Sequence, residues 1–165
     1  MDEAALTLGD MVLRAGLALL CGAIIGLNRD LHHKGAGLRT FSLVALSTVG
    51  ISMGMLIFMH HNADNIGRVA QGVLTGIGFL GAGVILRRPD GERITGLTTA
   101  AAIWFVSGVS ILCGLGQLTL SGVLVAFALL VLFGGGAVER LMERIFGKGQ
   151  RGSSADDYTE RGPDG

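Results

Sequence analysis

Long apolar runs, separated by short polar segments, dominate the pattern of hydrophobic and polar positions along the chain. Five such runs occur, over residues 11–27, 40–59, 70–86, 97–116 and 118–138. Each run is roughly 17 to 21 residues long, which is enough for an α-helix to cross a hydrocarbon core of about 30 Å. The pattern therefore predicts an all-α fold, a polytopic transmembrane helix bundle with about five spans over residues 11–138.

The third run is unusually rich in small residues. It reads AQGVLTGIGFLGAGVIL and carries no charged side chain. Glycine costs about 1 kcal/mol in a soluble helix, whereas in a membrane small residues let helix backbones approach closely. A phosphate-binding glycine loop is the alternative, but no GxxxxGK[ST] motif follows. We expect tight helix contacts through the small residues of this run, which are Gly72, Gly76, Gly78, Gly81, Ala82 and Gly83.

Composition supports a membrane protein without a separate soluble catalytic domain. Half of the residues are hydrophobic, 16% are charged and 28 of the 165 are glycine. Within the predicted spans, Arg14 is the only formally charged residue, and ionisable groups in a span are the usual sign of chemistry there. We therefore expect no catalytic residue, no metal ligand set and no cofactor. We also expect no nucleic-acid partner.

The net charge of zero conceals an asymmetric placement of the thirteen basic residues. All except Arg14 and Arg68 lie in the loops after the first and third runs or beyond the fifth run. Loops rich in Lys and Arg stay in the cytoplasm. The pattern therefore predicts a short extracytoplasmic N-terminus over residues 1–10 and a C-terminus in the cytoplasm.

Two segments of different character follow the fifth run. Residues 139–147 keep a helical spacing of apolar positions opposite charged ones, which predicts an amphipathic cytoplasmic helix extension. Residues 148–165 are polar and glycine-rich, so they have little to bury and we expect a disordered tail. The sequence assigns no function to either segment.

Polar and charged residues concentrate in the two loops predicted to be cytoplasmic, which read NRDLHHKGAGLRT and RRPDGERITGLTTAA. Arg39 lies beside a predicted helix start, where backbone N–H groups and the helix dipole favour anions. Thr40, Thr98 and Thr99 are candidates to cap the helices that begin there. The loop residues either set the topology and seal helix ends or line a recognition surface for an anionic headgroup, a nucleotide or a partner.

Three residues inside the spans allow more than one interpretation. Arg14 either snorkels to the interface or places a functional charge in the bundle interior. Cys21 and Cys113 have expected depths of about 15 Å and about 5 Å from the outer ends of their spans, counting about 1.5 Å per residue. A disulfide is therefore not expected, and both cysteines are interpreted as packing residues.

Three segments resemble, in their order and spacing, the MgtC/SapB family of bacterial inner-membrane proteins. They read GAIIGLNRDLHHKGAGLRTFSLVAL, NIGRVAQGVLTGIGFLGAGVILRR and GLTTAAAIWFVSGVSILCGLGQ, within residues 13–117. The resemblance implies a domain of about five helices in the bacterial inner (cytoplasmic) membrane, with the N-terminus outside. It also implies a link to growth at low magnesium, to stress and, in pathogens, to survival inside host cells.

The resemblance directs attention to three motifs. They are AGLRT, the GRVAQ sequence that leads into the third apolar run, and GLTTAA. Together with two residues of the first loop, the candidate recognition residues are Arg29, Asp30, Arg39, Thr40, Arg68, Gln71, Thr98 and Thr99. The chain departs from the family at Asn28, where many members carry Glu, and at Thr95, where many carry Arg. Longer members also carry a cytoplasmic regulatory domain of ACT type, which we do not expect in this chain.

Three functions from different classes remain. We expect a non-enzymatic regulator or partner-binding membrane protein, as a homodimer or small homo-oligomer, in stress or low-magnesium adaptation. The alternative is a transporter for magnesium or another ion, although the spans lack the acidic oxygen ligands that would replace the water around magnesium. An intramembrane enzyme acting on lipid would have only hydroxyl groups and Arg39 to use.

Overall fold

The computed structural model describes residues 6–58, 63–87 and 94–146, and the statements below concern these residues. Five helices follow one another: α1 (Leu8–Leu31), α2 (Leu38–Phe58), α3 (Ala63–Val84), α4 (Leu97–Gly114) and α5 (Leu118–Phe146). Two short strands, β1 (Leu86–Arg87) and β2 (Ile94–Thr95), pair antiparallel between α3 and α4. The predicted all-α helix bundle is confirmed, and the two-residue ladder is an addition that the apolar pattern did not predict.

The chain divides into two compact units within α5. The first unit, Met1–Phe127, contains α1 to α4 and the start of α5, and the second, Ala128–Gly165, contains the rest of α5. In the first unit α1 packs mainly against α2, and α4 packs against α1, α2 and α3. This unit carries all the candidate recognition residues.

Four of the described helices are long and apolar enough to cross a membrane: α1, α2, α4 and the Leu118–Gly135 part of α5. The chain is therefore a multi-pass membrane protein. The fifth expected span, residues 70–86, corresponds to α3, which begins earlier and carries Asp64, Arg68 and Gln71 in its first turns. Whether α3 also crosses the membrane stays a prediction.

The helix ends differ from the predicted boundaries by a few residues because polar residues at the ends still have helical backbone. The largest difference is at α5, which continues without interruption from residue 138 through most of the predicted extension 139–147 and ends at Phe146. Residues 1–5, 59–62, 88–93 and 147–165 lie outside the described residues. The predicted tail 148–165 and residues 88–93 of the second loop motif fall in these gaps.

The described bundle has large apolar side chains outside and small or hydroxyl-bearing ones inside. Leu43 is 65% exposed and Trp104 is 52% exposed. The buried polar residues include Thr48, Ser52, Thr99, Ser107, Ser110 and Ser121. Lipid tails are as apolar as leucine, so helices in a membrane associate through close packing of small residues and hydrogen bonds. This distribution of side chains is the one expected of a bundle surrounded by lipid.

Glycines of α1 make its close contact with α2. A Cβ atom added at Gly22 would lie 2.8 Å from the carbonyl oxygen of Phe41, and one added at Gly26 would lie 2.8 Å from the Cα of Leu38. The two glycines are four residues apart and therefore share one helix face. At the other end of the bundle, a Cβ atom added at Gly114 of α4 would overlap the side chain of Ser52 of α2. Close helix contact within the chain thus depends on α1 and α4.

The expected packing role of the glycine-rich third run is corrected for contacts within the chain. A Cβ added at Gly72, Gly76, Gly78 or Gly83 would have no neighbour within 4 Å among the described residues, and Ala82 is exposed. Only Gly81 approaches another helix, with its added Cβ 3.6 Å from the Cβ of Ala100. Small residues permit close contact but do not determine which helix face meets a neighbour. Contact of this face with a second copy of the protein stays a prediction.

Candidate functional site

Most of the candidate residues lie at one end of the first unit. Helices joined by short connections run antiparallel, so α2 and α4 begin at the same end, where α1 finishes. We call residues 28–40 the α1–α2 end. It contains Arg29, Asp30, Arg39 and Thr40, and the start of α4 brings Thr98 and Thr99 to the same end of the bundle.

Asp30 ties the last turn of α1 to the start of α2. Its Oδ2 accepts a hydrogen bond of 2.8 Å from the backbone N–H of Leu38, the first residue of α2. Helix N-termini leave such N–H groups without an intrahelical acceptor. A Cβ at Gly37 would overlap the Asp30 carboxylate, so this close approach needs glycine. Asp30 therefore caps α2, and the expected cap by Thr40, which is already inside the helix, is wrong.

A cavity of about 340 Å³ opens beside this contact. Its lining residues are Asp30, Gly37, Leu38, Arg39 and Thr40. Arg39 and Thr40 are exposed in the first turn of α2, where the helix dipole is positive. The structure therefore brings three of the predicted recognition residues to one cavity, which has both a guanidinium group and a carboxylate at its wall.

At the same end of the bundle, Arg29 and Asn28 are buried with donor atoms that have no partner among the described residues. Arg29 is 5% exposed and Asn28 is 3% exposed. The Nε and Nη1 atoms of Arg29 and the Nδ2 atom of Asn28 have no hydrogen-bond partner within the described part of the chain. The carbonyl oxygen of Asn28 accepts a bond of 2.7 Å from Nδ1 of His32. In the sequence Asn28 is notable only as a departure from the family, because the burial of an amide cannot be read from a position near a loop.

The two threonines at the start of α4 have different environments. Thr99 is 2% exposed and Thr98 is exposed. The N-cap of α4 is Gly96, which has φ 94° and makes no side-chain cap hydrogen bond. A Cβ at Gly96 would collide with the carbonyl oxygen of Val84, so the turn from β2 into α4 requires glycine. The expectation that Thr98 or Thr99 caps this helix is therefore wrong.

Arg68 and Gln71 do not join this group. Both are exposed on the first half of α3. Gly81 of α3 lies against Ala100 near the start of α4, and Arg68 lies 13 residues earlier, which is about 20 Å along the helix axis. Arg68 and Gln71 are therefore nearer the opposite end of the bundle, and the eight candidate residues do not form one site within the chain.

Arg14 has a role that neither interpretation from the sequence described. Its Nη1 donates a hydrogen bond of 2.7 Å to the carbonyl oxygen of Gly114, the last residue of α4. The last carbonyl groups of a helix have no intrahelical donor, so the guanidinium supplies one. The following turn passes close to Arg14 at Gly116, which has φ 83°. Arg14 therefore joins α1 to the C-terminus of α4.

Cys21 and Cys113 are neighbours, contrary to the depth argument from the sequence. Their thiol groups lie close to each other across the contact between α1 and α4, and the two cysteines are not joined by a disulfide. Depths counted from helix ends hold only where those ends lie at the same level, and here they do not. In the structure Arg14, well inside α1, meets Gly114 at the very end of α4, so α1 extends further at that end.

Among the described residues, no group of three or more His, Cys, Asp or Glu side chains could hold a metal ion. The polar arrangement at the α1–α2 end instead combines exposed and buried N–H donors with one carboxylate that is already hydrogen-bonded. Such an arrangement can bind an acceptor group such as a phosphate or carboxylate.

The chain is similar to curated proteins from several bacteria. It is 47% identical over 100 residues to protein MgtC of Salmonella typhimurium, covering 61% of this chain and 41% of that protein. It is 41% identical over 140 residues to protein SrpB of Synechococcus elongatus, covering 76% and 74% of the two chains. Protein SapB of Bacillus subtilis is 37% identical over 114 residues, covering 65% and 48%. No solved structure matches.

The chain thus spans less than half the length of the MgtC proteins that it matches. A family model described as the MgtC family matches residues 16–141, which include all five helices of the structure in whole or in part. This match covers most of the chain, and the chain belongs to the MgtC family.

Proposed function

We propose that this protein is a non-enzymatic regulator that binds a partner protein in the membrane during adaptation to low magnesium or to stress. Membership of the MgtC family supports a membrane protein of magnesium or stress adaptation. The regulatory mode of action is supported by where the chain places its polar groups.

Several hydroxyl groups inside the helices are already bound to the backbone of their own helix. Ser52 donates to the carbonyl of Thr48 at 2.8 Å, Thr75 to that of Gln71 at 2.8 Å and Ser107 to that of Ile103 at 3.2 Å. Hydroxyl groups that donate to the carbonyl four residues earlier are already satisfied within their own helix and do not form a continuous row of ligands for an ion.

Three of the four buried polar atoms that lack a hydrogen-bond partner among the described residues lie instead at the α1–α2 end, on Arg29 and Asn28, and the fourth is Oγ of Ser110 in α4. At this end Arg39 and Thr40 are exposed and line a cavity, and Arg29 and Asn28 are buried nearby in the last turns of α1. This concentration at a helix end is the observation that carries the proposal, because it favours recognition of another molecule at the membrane surface over movement of an ion through the bundle.

We further infer a homodimer or small homo-oligomer in the bacterial inner membrane, with the N-terminus outside and the C-terminus in the cytoplasm. The exposed small residues of α3 support self-association, since they would let a second helix approach closely. The placement of the basic residues supports the orientation. In this orientation the α1–α2 end faces the cytoplasm, where a soluble segment of a partner can reach it.

The test compares growth at low magnesium with ion flux. In a host strain lacking the gene, the wild-type protein should restore growth at low magnesium. The Arg39→Ala variant should fail to restore it while still inserting into the membrane at wild-type level. Lys34→Ala is the matched control, because Lys34 is an exposed cation of the same loop that does not line the cavity. Purified wild-type protein in sealed liposomes should show no magnesium-selective flux. Saturable magnesium uptake that is lost on changing Gln71 or Thr75 would instead establish a transporter.

A further inference from the structure

We propose that Arg29 and Asn28 form a binding site for a phosphate group at the α1–α2 end. Both side chains are more than nine-tenths buried, and three of their nitrogen atoms lack a hydrogen-bond partner within the described residues. The proposal concerns a ligand of this site. It does not depend on whether the protein regulates a partner.

An unpaired guanidinium is costly to bury, because the group loses its hydration and gains nothing in return. Buried polar groups in folded proteins nearly always have a partner, so an orphan group indicates a missing protein, water or ion contact. Here one of the orphan groups carries a full positive charge. A neutral water molecule cannot compensate that charge, whereas an anion can.

The chemistry of the orphan atoms limits the ligand. Nε and Nη1 of Arg29 and Nδ2 of Asn28 are all N–H donors. The complementary group therefore presents only acceptor oxygens and carries negative charge. A phosphate satisfies both conditions, and arginine is the side chain most often used to bind phosphate.

The nearest carboxylate along the chain does not supply this partner. Asp30 follows Arg29 directly, but its Oδ2 accepts from the N–H of Leu38 and its side chain lies against Gly37. The charge of Asp30 is therefore directed to the start of α2, and the orphan atoms of Arg29 have no acceptor there.

The residue that follows Arg29 opens onto the cavity at this end. Arg29 lies in the last turn of α1, and the following residue lines the cavity of about 340 Å³ together with Arg39 and Thr40. Arg39 adds a second positive charge at the cavity wall. The cavity lies where an apolar helix ends, which is the level of the lipid headgroups. The phosphate can therefore come from a phospholipid headgroup or from a soluble phosphate compound.

Thermal unfolding of the purified full chain distinguishes these sources. The lipid-depleted protein in neutral detergent is heated with inorganic phosphate, with phosphatidylglycerol, or with a phosphate-free glycolipid, at constant ionic strength set by sodium chloride. A ligand that binds only the folded state raises Tm in a saturable manner. We expect a saturable rise of several degrees with at least one of the two phosphate probes and no rise with the glycolipid or with salt.

Variants assign the response to the orphan donors. Arg29→Gln should abolish the rise in Tm, and Asn28→Ala should increase the half-saturating probe concentration several-fold while retaining the maximal rise. Lys34→Gln is the matched control, since it removes a neighbouring exposed cation, and it should respond like the wild type. A response to phosphatidylglycerol alone identifies a headgroup site, and a response to inorganic phosphate identifies a site for a soluble phosphate compound.

The unfolding temperature without any probe provides a second readout. Since Nε and Nη1 of Arg29 have no hydrogen-bond partner among the described residues, Arg29→Gln should leave the Tm of the lipid-depleted protein unchanged or raise it. A marked fall would show that Arg29 has a partner inside the protein, and the proposal would then be wrong. An equal response of Arg29→Gln and the wild type, or no saturable response to either phosphate probe, would also overturn it.

Discussion

At the scale of single residues, charged groups in this protein act at helix ends. Arg14 donates to the last carbonyl of α4, and Asp30 accepts from the first N–H of α2. Both bonds satisfy backbone groups that a helix cannot satisfy by itself. In a membrane such groups cannot turn to water, so a side chain from a neighbouring helix fixes both the helix end and the contact between the two helices.

Replacing Arg14 should therefore weaken the contact between α1 and α4. We expect Arg14→Met to lower the free energy of unfolding in detergent by about 1–3 kcal/mol, because a buried acceptor loses a charged donor. Arg68→Met, on an exposed position of α3, is the control and should change it by about 0.5 kcal/mol or less. Equal stability of the two variants would show that Arg14 only snorkels to the interface.

At the scale of helices, two kinds of glycine-rich face have different surroundings. The Gly22 and Gly26 face of α1 lies directly on the backbone of α2, whereas a Cβ added at Gly72 or Gly76 of α3 would have no neighbour within 4 Å among the described residues. The same residue type therefore serves close packing inside the chain in one helix and stays exposed in another. Exposure of the second face is what a contact between two copies would require.

This difference predicts that a glycine-to-leucine substitution has different effects in the two helices. Gly26→Leu should lower the free energy of unfolding by about 1–3 kcal/mol or more, because its added atoms meet the backbone of Leu38. Gly76→Leu should leave the stability of the single chain nearly unchanged and reduce self-association. Thermal unfolding and light scattering of both variants in the same detergent measure the two effects. An unchanged oligomer in Gly76→Leu would mean that the α3 face contacts lipid.

At the scale of the whole molecule, the orientation in the membrane follows from the charges of the loops. We expect a single cysteine at His33, in a background lacking Cys21 and Cys113, to be labelled by an impermeant maleimide only after the inner face is exposed. A cysteine at Asp64 should be labelled in intact cells, because α2 separates the two positions. Labelling in the reverse order would contradict the proposed orientation and the cytoplasmic position of the α1–α2 end.

The sequence by itself determined the architecture of this protein. Apolar runs about as long as a membrane is thick predict transmembrane helices directly, because length and hydropathy are properties of each segment alone. The motifs around Arg39 and Gly76 were likewise sufficient to indicate the family, which the comparison with known proteins confirmed.

Only the tertiary structure decided which residues meet. The rotation and relative depth of the helices place Gly26 rather than Gly76 at a close contact, bring Cys21 to Cys113, and bury the side chain of Arg29. Glycines, thiols and arginines of similar local sequence can face lipid, a neighbouring helix or a ligand. Their environment depends on packing between helices that are distant in the chain, and a local pattern carries no information about that packing.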